Sequence, residues 1–191
     1  MSSREEKRIE IIQAAVNVFS EYGFDRAKMD YIAKEAGIGK GTIYEYFESK
    51  EDLFDKMIQY SIESFRIGLK KIMDQKKSIE EKLIKCSRYN AEFMDKHLDM
   101  IQMDMQCKVL SKEMRTRIFT EMAVIYEHYK DMVQQAKAQG ELRADLDETL
   151  ATYCIMGTIE QFIKHRIFLK RHSLMEVDHQ AIVNVILKGL L

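Results

Sequence analysis

The sequence KMDYIAKEAGIGKGTIYEYFESK, from Lys28 to Lys50, decides the fold. Its first part, residues 29–36, places apolar residues at steps of three and four, which is typical of one face of a helix. Gly37 follows where the chain must turn, and glycine accepts the positive φ that other residues resist. A second short helix then opens at Gly39. This helix-turn-helix pattern predicts a second helix that enters the DNA major groove and reads bases from its N-terminal end.

The side chains of this stretch suit contact with DNA. Small groups permit close approach of the helix backbone, lysines supply positive charge, and tyrosine hydroxyls reach phosphates or base edges. Lys50 begins the next helix, where backbone N–H groups and the helix dipole favour an anion. Thr42 and Tyr44 are the foremost candidates for base contact, and Lys40 is a third. The predicted DNA-binding residues are Lys28, Gly39, Lys40, Gly41, Thr42, Tyr44, Tyr46 and Lys50.

The run IAKEAGIGKGTIYEYFESKEDLF, from Ile32 to Phe54, resembles the DNA-binding domain of the TetR family of transcriptional regulators. The run from Ile11 to Met29 resembles the family's first helix, and residues 140–151 resemble its usual entry into the eighth helix. The resemblance implies a repressor of double-stranded operator DNA that is released by a small effector bound in the C-terminal domain. Two positions depart from the family pattern, because Lys28 stands where serine or threonine is usual and Gly39 where serine is frequent.

Composition predicts an all-α protein of 191 residues. The helical pattern along the chain and the resemblance predict an N-terminal three-helix helix-turn-helix domain and a C-terminal helical bundle, with about nine helices in total. Proline is absent and glycine is sparse, so nothing interrupts long helices. We place the DNA-binding domain at residues 1–48 and the effector-binding and dimerisation domain at residues 49–191. The net charge is −1, so a DNA-binding surface must come from the placement of charges.

Several classes of protein find no support in the sequence. It has no nucleophile–base motif, phosphate loop or metal-ligand spacing, so we expect no enzyme, no cofactor and no metal site. The three cysteines lack CxxC spacing and are expected to be buried thiols in a reducing cytoplasm. No apolar run is as long as the roughly 18 residues of a membrane helix, which predicts a cytoplasmic protein without membrane contact.

The C-terminal helices are rich in methionine, a residue that adapts to varied partners. Many of the 13 methionines lie between Met94 and Met156. Ordinary core packing is the alternative explanation for each of them. Because the resemblance implies a small effector, we expect a site for an apolar or amphipathic molecule here. Its predicted lining is Tyr89, Asn90, Phe93, Met103, Cys107, Met122, Tyr126, Ile159, Gln161 and Phe162.

The last two helices are apolar over more than one stripe. A helix that is apolar on two sides must be covered on both, which predicts a homodimer through these helices. The alternative is a monomer with a fully buried helix pair. In a dimer, the two recognition helices would enter major grooves about 34 Å apart or somewhat more. The sequence thus favours an effector-released repressor, and its alternative is a ligand-independent DNA-binding regulator or adaptor.

Overall fold

The computed structural model describes residues 3–97, 110–165 and 177–188. Within these ranges all regular structure is helical, in eight helices, so the predicted all-α fold is confirmed. None of the eight is both long and apolar enough to cross a membrane. The helices are α1 (Ser3–Arg26), α2 (Met29–Glu35), α3 (Lys40–Ile43), α4 (Lys50–Met73), α5 (Ile79–Lys96), α6 (Lys112–Ala138), α7 (Glu148–Lys164) and α8 (His179–Lys188).

The chain divides into two compact units. The first unit comprises Met1–Glu63 and His97–Phe119, and the second comprises Ser64–Lys96 and Thr120–Leu191. Helices α4 and α6 contribute residues to both units. The predicted domain boundary at residue 48 stays a prediction.

The first unit is built on an aromatic core. Phe19 of α1 stands edge-on to Phe54 of α4, with ring centroids 5.2 Å apart, and Phe24 contacts both rings. Burying each such side chain contributes about 1.5–3 kcal/mol, so this core holds α2 and α3, which are too short to be stable alone. The largest buried side chains that these two helices and the turn after α3 add are Ile32, Ile43 and Phe47.

Glycine ends two of the helices through the same backbone arrangement. Gly37, after α2, has a φ of 65°, and Gly140, after α6, has a φ of 75°. In each case the amide of the next residue donates to a carbonyl five residues back, at 2.9 Å, and closes a Schellman motif. The turn predicted from Gly37 is therefore confirmed.

Side-chain caps begin three of the later helices. Ser49 Oγ accepts a hydrogen bond from the Asp52 amide at 3.0 Å before α4, and Asp147 accepts one from the Leu150 amide at 2.9 Å before α7. Ser78 makes the equivalent bond before α5. Each cap satisfies a first-turn donor that has no partner within the helix, which is worth about 1 kcal/mol.

The second unit packs α5 against α7 and α8, and it leaves one methionine and one cysteine exposed, the latter against the expectation of buried thiols. Met122 of α6 is 38% exposed, because the buried stripe of that helix passes through Ile125 and Tyr129 instead. Cys154 of α7 is exposed, whereas Cys86 of α5 is buried as expected. Burial raises the pKa of the Cys86 thiol to about 12, so this thiol stays protonated at neutral pH.

Candidate DNA-binding and effector sites

Helix α3 and the turn after it present small and polar groups to solvent. Gly39, Lys40 and Gly41 are exposed, and Tyr44 is 49% exposed. Ile43 points the other way and is fully buried in the core. The core therefore holds α3 from its inner side and leaves its outer side open. A recognition helix needs this arrangement.

The two glycines of α3 are not explained by packing within the protein. A Cβ placed on Gly41 would meet nothing within 4 Å in the part of the chain that the structure describes. A Cβ on Gly39 would meet Thr42 Oγ1 at 3.7 Å, which is ordinary contact. Gly39 also has an extended backbone, with a φ of −71°, that any residue adopts. The absence of a side chain at Gly39 and at Gly41 therefore leaves room for another molecule to approach the backbone closely.

Two predicted DNA-binding lysines lie exposed around α2 and α3. Lys40 Nζ bonds the Asp30 carboxylate at 3.0 Å and joins α3 to α2. This hydrogen bond raises the pKa of Lys40, so the ammonium stays charged. Lys28, at the start of α2, stands 5.7 Å over the ring of Tyr31. Because an exposed ion pair is worth only about 0.2–1 kcal/mol, the bond between Lys40 and Asp30 contributes little to stability.

Lys50 is turned toward the protein. Its Nζ donates to the carbonyls of Phe24 at 2.8 Å and Ala27 at 3.3 Å, and lies 3.5 Å from the carbonyl of Asp25. It also stands 4.4 Å over the Phe24 ring. The predicted phosphate contact of Lys50 stays a prediction. The N–H groups that would donate to a phosphate are the same ones that donate to these backbone carbonyls.

Arg4 is one of three basic residues near the start of α1, with Lys7 and Arg8, for which the sequence leaves open a contact with DNA phosphates or a solvated helix end. Its guanidinium donates to the carbonyl of Glu45 at 3.3 Å and stands 5.7 Å over the ring of Tyr46, next to the end of α3. The sequence signal was only a basic residue in the first turn of α1, 41 positions from Glu45. Folding thus places the Arg4 guanidinium beside the predicted residue Tyr46, in addition to the two exposed lysines Lys28 and Lys40.

The predicted effector residues Tyr89 and Phe93 of α5 belong to one aromatic cluster. Both rings pack on Phe65 of α4, with centroids 5.5 Å and 4.4 Å away. The Tyr89 hydroxyl donates to the Ser64 carbonyl at 3.3 Å. Its ring fills the space that Gly68 leaves open, since a Cβ there would lie 2.1 Å from the hydroxyl oxygen. Gly68 is not among the predicted residues, although a glycine inside a long helix is a signal of close packing.

Most of the other effector candidates are dispersed in the second unit. Tyr126 of α6 packs against Tyr153 of α7, with ring centroids 4.9 Å apart, and Asn90 is half-buried. Ile159 lies in the core. Two candidates lie outside the described residues: Met103 and Cys107. The exposed candidates are Met122, Gln161 and Phe162. All of these effector roles stay predictions.

Histidine takes part in a packing contact in the second unit. Ser87 of α5 and Nδ1 of His179 in α8 share a hydrogen bond of 2.9 Å. Burial lowers the pKa of His179, so its neutral form is favoured. Across residues 3–97, 110–165 and 177–188, no three His, Cys, Asp or Glu side chains are grouped to hold a metal ion.

Helices α7 and α8 pack on each other and leave apolar side chains on the outside. Leu150 and Val185 are each 69% exposed, and Tyr153 is 61% exposed. We call these three residues the outer face. The opposite sides of the same helices are buried, through residues such as Ile155 and Ile182. Both helices are therefore apolar on two sides, as predicted.

Comparison with known proteins decides the family. The model of bacterial regulatory proteins of the tetR family matches residues 11–57, which contain the helix-turn-helix. A tetracyclin repressor-like C-terminal domain matches residues 76–164. The chain belongs to the TetR family of transcriptional regulators. The predicted resemblance is thus confirmed, and this TetR-family protein is a DNA-binding transcriptional regulator.

Relatives of this TetR-family protein include regulators of fatty acid metabolism. It is 29% identical over 165 residues to the fatty acid metabolism regulator protein of Bacillus subtilis (strain 168), covering 85% of this chain and 84% of that protein. The structure of FadR from Bacillus subtilis in complex with stearoyl-CoA matches with a TM-score of 0.68 and 25% identity, over 94% of this chain and 95% of that one. A TetR-family regulator from Mesorhizobium loti shows the fold alone, with a TM-score of 0.81 and 20% identity over 99% and 98% of the chains.

Proposed function

We propose that the protein is a homodimeric cytoplasmic repressor that leaves its operator when a fatty acyl compound binds its C-terminal domain. DNA recognition is supported above all by the exposed outer side of α3, where packing does not explain the two glycines. The acyl effector is supported by the similarity to the fatty acid metabolism regulator and to the FadR that was solved with stearoyl-CoA.

The proposed DNA contacts divide into positioning and reading contacts. Lys28, Lys40 and Arg4 approach phosphates, while Thr42 and Tyr44 approach base edges. If these three cations each neutralise one phosphate per protomer, the logarithm of DNA affinity falls against the logarithm of salt concentration with a slope of about −5 for the dimer. Fluorescence anisotropy with DNA from upstream of its own coding sequence measures this slope.

Tyr44→Ala is expected to weaken binding to that upstream DNA by about tenfold to a hundredfold, because one specific base contact is worth about 1–3 kcal/mol. The thermal midpoint should stay close to that of the unchanged protein, since Tyr44 is exposed. The matched control is Tyr22→Ala, which removes another exposed tyrosine of the first unit. Equal affinity for the Tyr44 variant and the unchanged protein would remove Tyr44 from the interface.

The proposed dimer forms through the outer face. Apolar side chains as exposed as Leu150, Tyr153 and Val185 are costly to leave in water on two packed helices. A second copy that meets the same face about a two-fold axis covers all three residues at once. Such a dimer presents two copies of α3 to the two half-sites of one operator.

The proposed effector acts by binding one arrangement of the dimer better than another. Only a difference in affinity between the DNA-bound and the released arrangement shifts the equilibrium. Helix α4 is the proposed carrier of the shift, because it runs without interruption from Lys50 to Met73 and bears both Phe65 and Gly68. The aromatic cluster of Phe65, Tyr89 and Phe93 offers the apolar contacts that an acyl chain needs.

Stearoyl-CoA at about a hundred times its dissociation constant is expected to raise the thermal midpoint by about 5–10 °C, because selective binding to the native state adds about 2.7 kcal/mol. The same concentration should release the upstream DNA in an anisotropy assay. Free coenzyme A is the control, since it lacks the acyl chain. If acyl-CoAs and free fatty acids of several chain lengths change neither the midpoint nor DNA binding, the ligand-independent regulator becomes the better description.

A further inference from the structure

An acidic side chain lies among the exposed cations around α2 and α3. Residues 29–43, which span these two helices, contain the acids Asp30 and Glu35. Glu35 accepts a hydrogen bond from Asn17 of α1 at 3.1 Å, so its carboxylate is bonded across to that helix. Asp30 instead accepts from Lys40, with Oδ2 3.0 Å from Nζ. An acid in the first turn of α2 is thus bonded to the cation that begins α3.

The stability of the fold gives little reason for this pair. The side chains of Asp30 and Lys40 are 50% and 67% exposed, and an exposed ion pair adds little to stability because water solvates both charges. An acid in the first turn also interacts favourably with the dipole of its own helix. That effect belongs to α2 alone and needs no lysine at residue 40. Dependence on Lys40 therefore distinguishes a role in DNA binding from a role in the helix.

The Asp30 carboxylate opposes contact between Lys40 and DNA. Binding to DNA of any sequence depends on cations that replace the counterions at phosphates. An ammonium group that stays on a carboxylate releases no counterion. A phosphate that bound Lys40 in its present place would stand within one Debye length, about 8 Å, of the Asp30 carboxylate, and the two like charges would repel each other. Lys40 therefore leaves Asp30 only where the DNA offers further favourable contacts.

Such further contacts require a matched DNA sequence. Thr42 and Tyr44, the proposed base-reading residues, follow Lys40 by two and four positions. On the operator, their base contacts fix α3 in the major groove and hold Lys40 beside one phosphate. On unmatched DNA these base contacts are absent, and binding depends on phosphates alone. Specificity is the difference between the two affinities, and repulsion that acts against the wrong partner increases it.

We propose that Asp30 is a specificity-determining residue: its carboxylate keeps Lys40 from the phosphates of unmatched DNA and releases it when α3 is positioned on the operator. This inference rests on the proposed DNA contacts of Lys40, Thr42 and Tyr44, and it is independent of any effector. Asp30 acts through Lys40 and touches no base. Removal of the carboxylate should therefore tighten binding to unmatched DNA more than binding to the operator, and should do so only while Lys40 is present.

Chemical labelling of the unchanged protein tests the placement of Lys40. Reductive methylation and mass spectrometry report the accessibility of each lysine amine in the free protein, with a scrambled duplex, and with a duplex that the protein enriches from a random library. We expect both duplexes to protect Lys28, and only the enriched duplex to protect Lys40. Equal protection of Lys40 by both duplexes overturns the role of Asp30 and leaves the proposed phosphate contact standing. Protection of Lys40 by neither duplex overturns both.

Salt dependence tests the effect of the carboxylate itself. Asp30→Asn keeps the shape and removes the charge, and Glu63→Gln, at an exposed residue of α4 in the same unit, is its matched control. We expect Asp30→Asn to bind the scrambled duplex about tenfold tighter per protomer in roughly 0.1 M salt, with a slope steeper by about 0.9 per protomer, because one more phosphate is neutralised. On the enriched duplex the gain should be smaller and the slope unchanged. Glu63→Gln should leave both slopes unchanged.

A double-mutant cycle shows whether the effect passes through Lys40. Lys40→Met should leave the slope on the scrambled duplex unchanged, because Lys40 binds no phosphate there. The variant that combines Asp30→Asn with Lys40→Met should lack the gain of Asp30→Asn alone. A gain that persists without Lys40, or equal gains on the two duplexes, contradicts the proposal. Circular dichroism checks that each variant is folded, and if Asp30→Asn does not fold, the labelling of the unchanged protein decides alone.

Discussion

Val185→Glu is expected to convert the proposed dimer into a monomer and to weaken operator binding by about a hundredfold to ten-thousandfold. Val185 is 69% exposed in the single chain, so a glutamate there leaves the packing of each copy unchanged. In a two-fold dimer the residue occurs twice, and two carboxylates would have to be buried in one interface. Burying an unpaired carboxylate costs several kcal/mol. The loss in DNA affinity follows because a monomer engages one half-site and forfeits the effective concentration that links the two.

Sedimentation equilibrium gives the mass of the variant, and anisotropy with the upstream DNA gives its affinity. The control is Ala144→Glu, which adds the same charge at an exposed residue in the turn before α7. It should remain a dimer and keep its affinity. If Val185→Glu is still a dimer at the concentrations used for DNA binding, the outer face is not the interface, and another surface must join the two copies.

The parts of the fold that depend on neighbouring residues were predictable from the sequence. Gly37 predicted the turn between α2 and α3, and the structure has the expected positive φ there. Ser49 and Asp147 are residue types that favour a helix start, and both side chains make such caps. Such features are encoded within about five residues, so the sequence contains the whole interaction in one short stretch.

The parts that depend on distant residues were not predictable. Lys50 has a position at a helix start that suits an anion, yet its ammonium meets carbonyls 23 to 26 residues earlier. Arg4 reaches the end of α3 across 41 residues. The close contact of Tyr89 with Gly68 is likewise a product of packing between two helices. Periodicity places a residue on a face of its helix, but only the packed structure shows what that face meets.

The same limit explains why the exposure of Met122 and Cys154 did not follow from the sequence. Met122 fits the spacing of apolar residues in α6. The buried face of that helix, however, contains Ile125 and Tyr129, and Met122 is 38% exposed. Cys154 is on the side of α7 that carries Leu150 and Tyr153, and this side is exposed in the single chain. A helix that is apolar on two sides indicates a second partner, and the sequence alone does not tell which side packs inward first.

Gly41→Ala is expected to weaken operator binding by about tenfold to a hundredfold without destabilising the protein. The new methyl group has open space around it within the described part of the chain, so it causes no strain in the fold. Alanine also favours a helix over glycine by about 1 kcal/mol, which should leave the thermal midpoint unchanged or slightly raised. On the DNA side, the methyl group would hold α3 away from the base edges. Removing one or two specific base interactions, each worth about 1–3 kcal/mol, sets the expected range.

A graded series makes this expectation specific to the shape of α3. Gly41→Leu should bind DNA more weakly than Gly41→Ala, while calorimetry shows both variants folded. Ala138→Leu, at an exposed position of α6 in the second unit, adds comparable bulk and should bind as the unchanged protein does. The opposite result would be equal DNA affinity for all three variants. In that case the open space around Gly41 would be incidental, and the surface that enters the major groove would have to lie away from the outer side of α3.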